Sequence, residues 1–102
     1  METRRERIIH ILMEADEPLE AREIARMLGL EPGEVGIIYE DLGHIAKSIR
    51  NLGFDLYMQP PQCRACGYVF TRMKRLRRPS RCPECKSQRI APPRFFVKRR
   101  KD

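Results

Sequence analysis

Cys63-Arg64-Ala65-Cys66-Gly67-Tyr68 and, with fifteen residues between the two cysteine pairs, Cys82-Pro83-Glu84-Cys85-Lys86 hold all four cysteines of this 102-residue chain. Two residues between cysteines let both thiolates of one tight turn point at a single ion, and two such turns supply the four sulfurs of a tetrahedral site. Gly67 stands where positive φ lets backbone N–H groups turn toward the sulfurs. Lys86 occupies the matching place in the second turn, which predicts a less regular turn there, and Pro83 stiffens it. Disulfides do not suit a chain expected in a reducing compartment, and a redox dithiol would occur once, beside a βαβ pattern that is missing. The spacing therefore points to a structural metal on Cys63, Cys66, Cys82 and Cys85. Zinc is the first choice and iron the alternative, since four thiolates hold either. With all four positions filled by protein, no open position remains for a catalytic water.

The charge divides at the first of these cysteines. Residues 1–63 carry seven Lys or Arg against twelve Asp or Glu, a net of −5, and residues 64–102 carry fourteen against two, a net of +12. So basic a segment attracts phosphate at long range, and nucleic acid is the first partner to consider. Between the cysteine pairs lie Arg72, Lys74, Arg75, Arg77, Arg78 and Arg81, and after them a tail with Lys98, Arg99, Arg100 and Lys101. Such residues give phosphate affinity, steep salt dependence and little sequence information. Tyr68 and Phe70 alternate as on a strand; stacking on bases is open to them, but ribbon core is the commoner use. A segment with so few apolar residues cannot build a self-sufficient core, so the metal is expected to hold it folded.

Upstream of the cysteines the pattern is helical. Thr3 and Glu6 have capping-box spacing, and Ile8, Ile9, Leu12 and Ala15 follow at helical steps until Asp16-Glu17-Pro18. A shorter helix is expected from about Glu20 to Leu28, with Ile24, Ala25 and Leu28 inward and Gly29 as terminator. Pro32 opens a third helix at its permitted first turn. Val35, Ile38, Leu42, Ile45, Ile49 and Leu52 run along it in steps of three and four, one stripe facing the core, until Gly53. Phe54-Asp55-Leu56-Tyr57-Met58 then alternates as a strand, and Arg94-Phe95-Phe96-Val97-Lys98 is its expected partner in a long hairpin.

On these residues the chain resembles two known modules. Leu19 to Gly53, with its Ala21-Arg22-Glu23-Ile24-Ala25 helix, Leu28-Gly29-Leu30 turn and longer third helix, resembles a winged helix-turn-helix domain. The segment from Cys63-Arg-Ala-Cys-Gly-Tyr through Cys82-Pro-Glu-Cys85 to Pro93-Arg94-Phe95 is similar to a zinc ribbon, and its first knuckle to a rubredoxin's. In this order the two resemble the archaeal predicted transcriptional regulators that fuse a winged helix to a rubredoxin-like zinc ribbon. The resemblance implies an α+β fold: a three-helix winged helix-turn-helix over 1–58, a zinc ribbon inserted in the wing over 59–93, and a returning wing strand with a basic tail over 94–102. It implies a DNA-binding regulator acting on duplex DNA, with a structural zinc ion.

The third helix departs from the usual base-reading pattern. Its outward residues by 100° steps are Gly36, Glu40, Gly43, His44, Lys47, Arg50 and Asn51, and Glu34 and Asp41 flank the first turns with acid. Lys47 and Arg50 are left for phosphate contacts. The Gly36/Glu40/Gly43 face is also a candidate surface for a protein partner or a second copy, which makes a transcription-machinery adaptor with non-specific nucleic-acid anchoring the second reading. An enzyme is not expected: His10 and His44 stand alone on helices, no hydrolase triad, P-loop or dinucleotide pattern is present, and no small-molecule substrate is evident. No apolar run approaches the roughly 20 residues that cross a bilayer, and the first residues lack a secretory-type apolar segment, so the cytoplasm is the expected location.

Overall fold

A computed structural model describes residues 2–73 and 76–100. Among these residues three α-helices stand beside a three-stranded antiparallel sheet, and a small cysteine-bearing ribbon is inserted between two of its strands. No helix among them is long and apolar enough to cross a membrane.

Helix α1 (Arg4–Glu14) begins with the expected capping box: Glu6 N–H donates to Thr3 Oγ1 at 3.2 Å, and Thr3 N–H donates to Glu6 Oε1 at 3.4 Å. Helix α2 (Ala21–Met27) ends at Gly29, whose φ of +76° is open to glycine at little steric cost. A 3₁₀ turn at Pro32–Glu34 leads into α3 (Val35–Ser48), and a second at Ile49–Leu52 stops at Gly53, φ +87°.

That second 3₁₀ turn corrects the expected stripe. Ile38, Leu42, Ile45 and Ile49 are fully buried, but Leu52 is 66% exposed. Leu52 is the last residue before Gly53 carries the chain out of the helix, and it lies past the end of the core that Ile49 closes.

A two-residue strand β1 (Leu19–Glu20) precedes α2 and was not expected. The hairpin strands are β2 (Phe54–Gln59) and β5 (Arg94–Arg99), antiparallel with Leu56 opposite Val97 and Tyr57 opposite Phe96. Strand β5 is central, flanked by β1 and β2. It brings Phe95 into the core, fully buried and edge-on to Tyr39 at 6.1 Å. The core is completed by Ile8, Leu12, Leu19, Ala21, Ile24 and Ala25 with the α3 residues.

Between β2 and β5 the chain passes through β3 (Gln62–Cys63) and β4 (Ile90–Ala91), which pair with each other and pull Ile90 under the cysteines. Tyr68 and Phe70 do not form a strand. A single bridge joins Val69 to Gln62, while Tyr68 and Phe70 meet edge-to-face at 5.0 Å and pack against Cys63, Cys82 and Ile90 as small-core residues.

Candidate functional site

The four cysteine sulfurs lie within 4.8 Å of one another. Cys63 Sγ is 3.6 Å from Cys85 Sγ, and Cys66 Sγ is 3.6 Å from Cys82 Sγ. Disulfide bonding would require about 2.05 Å. A tetrahedral ion with metal–sulfur bonds of about 2.3 Å places its sulfurs roughly 3.8 Å apart, so the arrangement fits a thiophilic ion rather than an oxidised pair.

Each knuckle is set by the backbone. Gly67 N–H donates to Cys63 O, and Lys86 N–H donates to Cys82 O, both at 2.9 Å. Gly67 has φ +83° and Lys86 φ +64°. The second knuckle is therefore not less regular than the first, as its lysine suggested; Lys86 adopts the left-handed conformation despite its Cβ. Its Nζ donates to Pro83 O at 3.3 Å. Cys63 N–H donates to Tyr68 O at 2.8 Å within the first knuckle, and Arg64 N–H donates to Arg89 O at 2.8 Å, tying that knuckle to the segment that follows the second.

The donor chemistry matches this geometry. Burial opposes ionisation of Cys63, but the N–H groups of Cys66 and Ala65 aimed at its sulfur bring the thiol down to about 6. At Cys66 the Tyr68 N–H favours the thiolate, yet burial and the neighbouring sulfurs prevail and push it up to about 12. At Cys85 the Ser87 N–H likewise favours the thiolate, but burial and Cys63 outweigh it and raise this thiol too. Four sulfurs packed this closely cannot all ionise without a cation among them, so the site fits a bound divalent metal.

The basic residues named from the sequence fall into separate groups. Arg72 and Arg77 line a shallow depression with Tyr68, Phe70, Met73 and Pro79. Arg78 lies against the helical part, in a recess with Glu20, Arg22 and Tyr39. Burial raises the Tyr39 phenol while the nearby Arg78 charge pulls it down. Leu76, two residues earlier, packs on the helical core and fixes this approach. Arg81 is exposed beside Cys82, and Lys47 is exposed on α3. Arg50, Arg99 and Arg100 gather at the far end of the hairpin, where Arg50 and Arg100 reach Asp55 at 3.9 and 3.6 Å. Lys74 and Arg75 lie outside the described residues.

One acidic group is removed from the outer face of α3. Asp41 was expected to flank that face and is instead 1% exposed, its carboxylate held by Arg4 and Arg5. Glu40 remains exposed. A Cβ built on Gly36 or Gly43 meets nothing within 4 Å, so nothing among the described residues demands glycine there.

Two family descriptions match the sequence: PF0610-like, N-terminal, over residues 3–57, and PF0610 rubredoxin-like zinc beta-ribbon domain over residues 60–100. Among solved structures, the solution NMR structure of protein PF0610 from Pyrococcus furiosus is similar at 40% identity. The match covers 95% of this chain and 90% of that one, with a TM-score of 0.75. No curated protein matches. With an α+β body over the first match and a four-sulfur cluster within the second, the chain belongs to the PF0610-like family and carries its rubredoxin-like zinc ribbon.

Proposed function

We propose that this protein is a DNA-binding transcriptional regulator of winged helix-turn-helix type. In this reading α2, the turn at Gly29 and α3 form the helix-turn-helix, β2 and β5 form the wing, and the ribbon is an insertion within the wing. The ion is Zn²⁺, held by Cys63, Cys66, Cys82 and Cys85. It supplies charge neutralisation and cross-linking, and with four protein ligands it leaves no position for substrate, so its role is structural rather than catalytic. Four cysteines that form no disulfide and serve as metal ligands suit a reducing compartment such as the cytoplasm.

The observation that carries this reading is the distribution of exposed cations over wing and ribbon. Arg72, Arg77 and Arg81 on the ribbon, Arg99 and Arg100 on β5 and beyond it, and Arg50 and Lys47 at the end of α3 are exposed, and the ribbon half carries few acids to oppose them. Such a surface binds phosphate. Burial of Asp41 supports it further, because α3 then presents less negative charge than its sequence suggests.

Binding to duplex DNA, measured across a salt series, tests the proposal. Replacing Arg72, Arg77 and Arg81 together by Glu is expected to weaken binding and to flatten the slope of log affinity against log salt by about 0.9 for each phosphate that is no longer neutralised. A wild-type protein that ignores duplex DNA even at low salt sinks the regulator reading. The adaptor reading would then take its place, favoured by the open space over Gly36 and Gly43 beside exposed Glu40.

A further inference from the structure

The outer face of the hairpin carries a feature that the zinc ribbon does not explain. Strand alternation sends Phe54, Leu56 and Met58 of β2 and Phe95 and Val97 of β5 into the core. Tyr57 and Phe96 therefore fall on the opposite face. They are direct cross-strand partners, with rings stacked at 5.2 Å and 14°. Tyr57 is 44% exposed, and neither ring belongs to a hydrophobic cluster of the described residues.

Cations surround this pair. Lys98 Nζ stands over the Phe96 ring, 5.7 Å from its centroid. Lys98, Arg99 and Arg100 line one depression of about 450 Å³ together with Tyr57, Phe96 and Asp55. Asp55 is the one carboxylate of that lining, and Arg50 and Arg100 already approach it. The surface thus offers an exposed aromatic face next to an excess of positive charge.

We propose that this face is a stacking platform for single-stranded DNA. An unpaired base lies on the Tyr57 ring, and Lys98, Arg99 and Arg100 take the flanking phosphates. The pairing of a π-surface with cations fits a ligand that is both flat and anionic. Duplex DNA supplies the phosphates but keeps its base faces stacked on each other, whereas a single strand exposes both. The inference rests on the reading of the chain as a DNA-binding protein and adds a second mode of contact to it, placed on the hairpin rather than on α3 or the ribbon loop.

The test uses the zinc-loaded full chain with labelled oligothymidylate, the same-length oligouridylate, and a DNA duplex of equal length. Tyr57→Ala is expected to weaken oligothymidylate binding about tenfold, within the usual range of about 1–3 kcal/mol for one base on one ring. Duplex affinity is expected to stay within about twofold of wild type, and Tyr57→Phe to retain single-strand binding. Lys98→Glu, which keeps both rings, is expected to weaken it too, and serves if Tyr57→Ala fails to fold. Unchanged oligothymidylate binding in Tyr57→Ala, or an equal loss on the duplex, overturns the platform, as does tighter binding of oligouridylate than of oligothymidylate. Wild type that binds duplex but not oligothymidylate removes the platform and leaves the regulator standing; binding to neither removes both. An acidic peptide that competes while nucleic acid does not would assign the face to a protein partner and overturn the proposal.

Discussion

Asp41 on α3 and Arg4 on α1 meet as a two-pronged pair: Arg4 Nε reaches one carboxylate oxygen, and Arg4 Nη2 reaches the other at 3.2 Å. Arg5 Nε adds a third bond at 3.1 Å. The carboxylate is buried while both guanidinium groups remain about half exposed. Hydrogen bonding from Arg4 above all, opposed by burial and aided by Arg5, holds the Asp41 carboxyl below the ordinary range. A depressed acid stabilises the fold above its unfolded pKa and loses that contribution as pH falls through its folded value. Asp41→Asn is therefore expected to cost about 1–3 kcal/mol at neutral pH. Urea unfolding of both proteins at pH 7 and pH 3 checks this: the gap between them should narrow in acid.

Removal of the metal should unfold the ribbon and leave the helices. Its small core of Cys63, Cys82 and Ile90, with Tyr68 and Phe70 on its edge, is too slight to stand without coordination, which contributes roughly 10 kcal/mol or more in modules of this size. After chelation, amide resonances between residues 60 and 93 should collapse toward random-coil positions while far-UV helicity persists. A chelated, metal-free protein with an intact ribbon spectrum would contradict it.

The two knuckles should answer oppositely to glycine. Gly67 has its nearest neighbour, Gln62 Nε2, at 4.0 Å from an added Cβ, so Gly67→Ala meets no clash and reports only the left-handed backbone. A loss of about 1–2 kcal/mol is expected. Lys86→Gly relieves the same strain in the second knuckle, offset by the entropy of a new glycine, for a net gain of about 0.5 kcal/mol. Thermal melts of the zinc-loaded variants measure both.

Phe95→Ala should be felt far from the ribbon. The ring is fully buried among residues of the helical core and touches Tyr39 edge-on, so truncation is expected to cost about 3–5 kcal/mol. Loss of helical signal at lower urea, in parallel with loss of the hairpin, checks it. A variant that keeps wild-type helicity in urea would place the core elsewhere.

Much of this arrangement was legible in the residues themselves. The cysteine spacing predicted the sulfur cluster, and the alternation from Phe54 to Met58 predicted strand β2 and its pairing with the strand around Phe95. Part of what escaped depends on contacts distant in sequence. Asp41, three residues after Ile38 and four before Ile45, borders the buried stripe, but the guanidinium groups that receive it are 36 and 37 residues away and leave no mark near it. Strand β1 is two residues long, too short for a period, and exists because β5 offers it an edge. Leu52 follows the helical step in sequence, but it stands at the very end of the helix, beyond the core, where Gly53 turns the chain away. Lys86 is bent by the turn that Cys82 and Cys85 impose, whatever its own preference.

The middle strand of the sheet arrives after the entire insertion. A nascent chain on the ribosome that has exposed α1, α2, α3 and β2 still lacks Phe95 and the strand that β1 and β2 both clasp. Such a chain holds its apolar faces unsatisfied until some forty further residues have emerged. If the ion is captured during that interval, the knuckles draw together the two arms that lead into and out of the insertion, shortening the search by which β5 finds its slot.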